Sequence, residues 1–123
     1  MSIFRKPATL RNLRTGQTLT VQALIDTGAS HAALPLTEAQ ALGLQSRARR
    51  QFELADKSVV PRDLDYVEIE LAGETGIVPC AFAEGVAEPL VGATTLEILQ
   101  LAVDCAREEL VPTTGLMRGV AVR

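Results

Sequence analysis

A chain of 123 residues, 47% of them hydrophobic, is long enough to bury one core and short for two, so one domain spanning residues 1–123 is expected. Its 12 basic residues are scattered among 15 acidic ones for a formal net charge of -3, and without a basic stripe neither nucleic acid nor an anionic membrane is an expected partner. Charged residues interrupt every apolar run before it could cross a bilayer, so a soluble protein is expected.

Cys80 and Cys105 lie far apart, each among apolar neighbours, and both read as core residues. No charged-then-apolar leader or A-x-A cleavage pattern precedes the first residues, and a reducing cytosol is the expected compartment. No repeat or low-complexity block appears.

The grammar is mainly β. Ala8 to Leu13 and Gln17 to Ile25 are extended runs joined by Arg14-Thr15-Gly16, a connection suited to a hairpin with a bulge. Thr37 with Gln40 three residues later reads as a capping box, and Gly43 closes a short helix containing Ala39, Ala41 and Leu42. Two strands, Ser46 to Ala55 and Ser58 to Tyr66, flank Asp56-Lys57. A further pair, Tyr66 to Ala72 and Ile77 to Phe82, flanks Gly73-Glu74-Thr75-Gly76. Pro89 to Gly92 leads into a second helix over Thr94 to Leu101, and Val103 with Glu109 to Val111 suggests a last small hairpin. The segment Thr114 to Arg123 stays ambiguous between an added interface strand and a free end.

The segment that carries chemistry is Ala23-Leu24-Ile25-Asp26-Thr27-Gly28-Ala29-Ser30, an apolar strand running straight into an aspartate, a hydroxyl and a glycine. A carboxylate at the end of a buried strand is held rigidly. Thr27 can hydrogen-bond backbone beside it, and Gly28 permits close approaches that a Cβ would obstruct. Asp-Thr-Gly is also ordinary turn vocabulary, and the Thr-Gly pairs at Thr15, Thr75 and Thr114 lack the aspartate. A catalytic Asp26 is favoured over a structural turn because a second element lies downstream.

Leu24-Ile25-Asp26-Thr27-Gly28-Ala29-Ser30, followed by Pro89-Leu90-Val91-Gly92-Ala93-Thr94-Thr95-Leu96, resembles the retropepsin-like aspartic proteases, most closely the small single-domain bacterial and archaeal type. The resemblance covers most of the chain in order. It implies a closed, mainly β acid-protease barrel with one or two short helices, and Thr27, Gly28, Ala29 and Ser30 supporting Asp26. Leu90, Val91 and Gly92 match the second signature, packed beneath the catalytic loop with Leu96 and Leu99 on the following helix; they read equally well as core. The resemblance also implies a flap, placed on the hairpin of Phe52 to Pro61 with its tip at Ala55-Asp56-Lys57-Ser58. Related chains often carry glycine near this tip, where this one has Lys57. Substrate contacts are then expected from Leu54, Ala55, Asp56, Val59 and Val60 on the hairpin and from Leu90, Val91 and Gly92, favouring apolar side chains around the scissile bond.

Such enzymes use two carboxylates sharing one proton, because like charges held close cannot both ionise cheaply. One Asp-Thr-Gly per chain therefore implies a C2 homodimer in which Asp26 faces its twin and Thr27 bonds across the axis. Asp104, set in Leu101-Ala102-Val103-Asp104-Cys105 without a hydroxyl-glycine follower, reads as structural. Ser30 and His31 are not expected to form a nucleophile–base pair, since immediate neighbours in sequence generally cannot meet in that geometry and no G-x-S-x-G elbow exists; His31 reads as a loop residue near the cleft mouth. Cys80, Cys105 and one histidine make no closely spaced ligand set, so no metal or other cofactor is expected. Arg47, Arg49 and Arg50 form a small basic cluster, with Arg47 and Arg49 on the solvated face of a strand. The competing function is a protease-like dimeric module that binds or scaffolds an extended peptide by strand addition without cleaving it.

Overall fold

Alternation of buried and exposed residues governs the first half of the chain. In the strand Phe4–Asn12 (β1), Phe4, Ala8, Leu10 and Asn12 point inward, and in Thr18–Ile25 (β2) the buried residues are Ala23 and Ile25. That is the two-residue period of a sheet with one face on a core. The computed structural model describes residues 4–85, 88–117 and 119. β1 is longer than expected, starting at Phe4 opposite Ile25.

The chain then forms the short strand Ala32–Pro35 (β3), the helix Leu36–Ala41 (α1), the strand Ala48–Glu53 (β4), a 13-residue strand Val59–Leu71 (β5), and Glu74–Ala83 (β6). A two-residue strand Leu90–Val91 (β7), the helix Ala93–Leu99 (α2) and the hairpin Leu101–Asp104 (β8) with Glu109–Pro112 (β9) complete it. The sheet runs β1-β2-β7-β3-β6-β5, and pairing of β1 with β5 closes these six strands into a barrel. β4 hangs outside the closure on β5. The fold is mainly β, a closed barrel with two short helices, as the resemblance implied.

Several local expectations are corrected. The two strands expected to break at Tyr66 are one: β5 pairs with β4 through Val59 to Leu64 and with β6 through Leu64 to Leu71, so the change of partner happens without a turn. The turn between β5 and β6 is Ala72-Gly73 rather than Gly73 to Gly76. Both residues have positive φ (50° and 81°), the geometry of a tight two-residue hairpin. α1 begins one residue before Thr37, with Pro35 preceding it and no side-chain cap, so the capping box does not form. Its end at Gly43 (φ 75°) is as expected, with the Gly43 N–H donating to the Gln40 carbonyl. Cys80 is buried but Cys105 is exposed, because it follows β8 into the turn of the last hairpin. Residues 114–117 adopt neither strand nor helix; residues 118 and 120–123 of the ambiguous segment lie outside the described residues.

The core is a single cluster in which Ile25, Leu34, Val67, Ile69, Leu71, Val78 and Val91 of the barrel strands join Leu96 and Leu99 of α2 and Leu101 of β8. Of three polar side chains enclosed among the described residues, Thr95 has a hydroxyl without a hydrogen-bond partner, while Asn12 and Asp65 are fully partnered. Asn12 donates to the Leu42 and Gly43 carbonyls and accepts from the Arg14 and Thr15 N–H groups. That set fills the capacity of an amide side chain and fastens the first hairpin turn to the end of α1. Asp65, 2% exposed, accepts from the Gln45 and Tyr66 N–H groups and from Arg14 at 3.1 Å, with Arg47 at 3.7 Å. No helix among the described residues is long and apolar enough to cross a membrane.

Candidate active site

β7 threads between β2 and β3, parallel to β2 (Ile25 beside Val91) and antiparallel to β3 (Ala33 beside Leu90). This interleaving brings the two sequence signatures together, although more than 60 residues separate them. Asp26 directly follows β2, and its N–H donates to the Val91 carbonyl at 3.0 Å. The chain then turns on itself: the Ala29 N–H donates to the Asp26 carbonyl at 3.1 Å, and the Gly28 N–H donates to Asp26 Oδ1 at 2.9 Å. One carboxylate oxygen is thereby fixed by the turn it initiates, and Oδ2 has no hydrogen-bond partner among the described residues.

The loop after Asp26 is held from below by α2. Ala93 and Thr94 donate their N–H groups to the carbonyls of Ala29 and Ser30 at 2.8 and 2.9 Å. These are donors that a helix start leaves unsatisfied, and here main-chain carbonyls replace a side-chain cap. Gly92 makes the approach close enough. A Cβ there would stand 2.6 Å from the Ala29 carbonyl oxygen and 2.7 and 2.8 Å from the His31 backbone oxygen and nitrogen.

An open cleft of about 790 Å³ lies beside this loop, between residues 28–33 and the sheet wall formed by β4, β5 and β6. Gly28, Ala29 and Ser30 line it, while Asp26 and Thr27 precede the lining residues; Asp26 and Ala29 are half-buried, and Thr27, Gly28 and Ser30 are exposed. Leu54 and Leu90 line the cleft. Ala55 and Asp56 sit outside it at the exposed tip of the β4–β5 hairpin, Val59 is exposed and Val60 half-buried beyond its lining, Val91 is core at 2% exposure, and Gly92 is buried beneath the loop.

Ser30 and His31 do meet: Ser30 Oγ is 2.8 Å from His31 Nδ1. The exposed turn leaves both side chains free to bend toward each other, which the expectation from adjacency overlooked. No carboxylate orients His31 among the described residues; its ring instead stands edge-on to Phe52 of β4 at 5.1 Å, tying the loop to the hairpin. Asp104 caps its own turn, accepting from the Ala106 and Arg107 N–H groups. Arg47 and Arg49 are paired, with Asp65 and Asp63. The cleft wall also holds Arg62, Leu64 and Tyr66 of β5, which motif reading missed, and Arg50 and Phe52 of β4, which it named only as part of a basic cluster and as the start of the hairpin. Their even spacing was the available signal, since alternate residues of one strand share a face.

No curated protein matches the chain closely enough to count as a relative. A family model described as aspartyl protease matches residues 11–97, well over half of the chain. The Asp-Thr-Gly turn, the hairpin above the cleft and Gly92 beneath the loop all fall inside those residues, and the chain belongs to the aspartyl protease family, of the retropepsin-like type.

Proposed function

We propose that this protein is an aspartic endopeptidase whose catalytic dyad is built from Asp26 of two identical chains. The observation that carries the reading is the Asp26 carboxylate, fixed through Oδ1 by the Gly28 N–H at the end of a barrel strand in a protease family. One such turn per chain calls for a twin, and a two-fold axis supplies it. In the dimer one Asp26 carboxylate takes a proton from a water as its oxygen attacks the scissile carbonyl carbon. The other, protonated, donates to the carbonyl oxygen. Collapse of the tetrahedral intermediate breaks the C–N bond as a proton passes to the leaving amine. Thr27, exposed beside Asp26, bonds across the axis, while Gly28, Ala29 and Ser30 shape the loop that carries the acid. The β4–β5 hairpin closes over an extended peptide; Leu54 and Leu90 line the cleft that receives it, Ala55, Asp56, Val59 and Val60 reach it from the hairpin on closure, and Val91 and Gly92 support the floor. The setting is the cytosol, which suits a pair of cysteines divided between core and surface.

The test is Asp26→Asn assayed on a degenerate peptide library at acidic and neutral pH, with and without a statine-type inhibitor, and sedimentation of both forms. Cleavage by the wild type, lost in the variant while the dimer persists, is the expected result. A strictly monomeric protein, or cleavage that survives the substitution, overturns the dyad; peptide binding without cleavage by either form assigns the binding-module role instead.

A further inference from the structure

Two guanidinium groups in the cleft wall are not used by the chemistry above. Arg50 of β4 and Arg62 of β5 are direct partners in the antiparallel register, so both side chains leave the same face of the hairpin, and both line the cleft. Like charges set directly opposite each other destabilise a strand pair. The neighbouring arginines avoid this: Arg49 pairs with Asp63 at 3.3 Å and Arg47 with Asp65 at 3.7 Å. Arg50 and Arg62 each donate only to the main chain, to the carbonyls of Arg49 and Pro61 at 3.0 Å. Neither forms an ion pair among the described residues. With five N–H donors per guanidinium, most of this donor capacity has no protein acceptor.

The one acid in the cleft lining, Glu53, stands on β4 three residues from Arg50 and opposite Val59, so it leaves the strand on the alternate side from the arginine pair and forms no ion pair with either arginine. His31 lies across the cleft, committed to Ser30 and Phe52. Along the arginine face, Phe52 lies on one side of the pair and Leu64 on the other, both lining the cleft. The wall therefore presents an apolar, cationic, apolar sequence at strand spacing.

We propose that Arg50 and Arg62 form a subsite for an acidic side chain, so that the preferred substrate carries Asp or Glu flanked by apolar residues. This deepens, and rests on, the peptidase reading. A carboxylate matches the planar fork of a guanidinium and would accept from both arginines, also screening their mutual repulsion. The subsite departs from the all-apolar preference expected from the sequence.

The experiment uses matched peptides that differ at one position near the scissile bond, Glu, Gln, Lys or phosphoserine. They are scored by kcat/KM with the wild type and by fluorescence anisotropy on Asp26→Asn. A Glu-to-Gln ratio of about tenfold is expected at low salt, shrinking as salt is added. Arg50→Gln and Arg62→Gln should each pull that ratio toward about one, and Arg62→Glu should favour the Lys peptide. Equal handling of Glu and Gln by the wild type in both assays overturns the subsite, as does a ratio that survives both arginine substitutions. Preference for phosphoserine with Glu equal to Gln overturns the carboxylate assignment. Binding preference without any cleavage keeps the subsite and overturns the peptidase instead.

Discussion

Gly92 lies directly under Ala29, so close that a Cβ would stand 2.6 Å from the Ala29 carbonyl oxygen. The atoms in the way are all main chain, and the loop they belong to begins at Asp26, so no side chain can rotate to make room. Gly92→Ala must push residues 29–31 outward, breaking the bonds from Ala93 and Thr94. We expect a stability loss of about 2 kcal/mol or more and loss of the proposed peptidase activity. Thermal unfolding and peptide cleavage measured together check this; a variant with wild-type stability and rate would show that the loop does not depend on this contact.

That contact also explains how far the residues could be read in one dimension. Asp26-Thr27-Gly28 and Leu90-Val91-Gly92 were both visible as apolar strands ending in glycine-bearing turns, and the barrel followed from the family they resemble. β3 was not visible, because Ala32 to Pro35 is four residues long and becomes a strand only through distant partners, Cys80 to Ala83 in parallel and Leu90 in antiparallel register. The single long β5 was divided because a change of partner at Leu64 leaves no mark in composition. Asn12 and Asp65 carry no mark of burial in the sequence, since the groups that satisfy them lie as far as 31 and 51 positions away. Arg50 and Arg62 were legible as charges but not as a facing pair, which only the register supplies.

Asp65 gives the fold an acid-sensitive anchor. Burial pushes its carboxyl up, but the N–H groups of Gln45 and Tyr66 and the Arg14 guanidinium outweigh that and hold it below the usual carboxylate range. A depressed folded value means that the stabilisation is complete above the unfolded pKa of about 3.9 and is lost as pH falls through the folded value. Asp65→Asn lacks this contribution and leaves Arg14 facing a neutral amide, at a cost of about 3 kcal/mol near neutral pH. Urea unfolding from pH 7 down to pH 2.5 should show the gap between wild type and variant narrowing in the acid range; a gap independent of pH would exclude the ionised carboxylate as its source.

Cys80 reports on opening of the barrel. It is fully buried on β6, and desolvation followed by the nearby Asp65 charge pushes its thiol up to about 12. The reactive species is the thiolate, so a buried thiol held in this form is inert. Native protein treated with a maleimide at neutral pH should leave Cys80 unmodified, and modification should appear only with global unfolding, read residue by residue by peptide mass mapping. Rapid labelling of Cys80 in the native state would place β6 outside the core.

The tip of the β4–β5 hairpin places a lysine in a backbone conformation that favours glycine. Leu54 and Ser58 close a three-residue loop, with the Leu54 N–H donating to the Ser58 carbonyl at 2.8 Å and the Lys57 N–H returning to the Leu54 carbonyl at 2.9 Å. Asp56 locks it further by accepting from both the N–H and the hydroxyl of Ser58. Lys57 occupies the closing position with φ 74°, the left-handed conformation in which glycine is at home. A side chain there costs about 1 kcal/mol, and glycine would remove that strain while adding a comparable unfolded-state entropy of about 0.4–1 kcal/mol. Lys57→Gly should therefore leave Tm nearly unchanged, whereas Lys57→Val, β-branched at a positive φ, should lower stability by about 1–2 kcal/mol. Thermal unfolding of the two variants side by side decides the matter: if glycine destabilises as much as valine, Lys57 contributes through its side chain and not through the turn it closes.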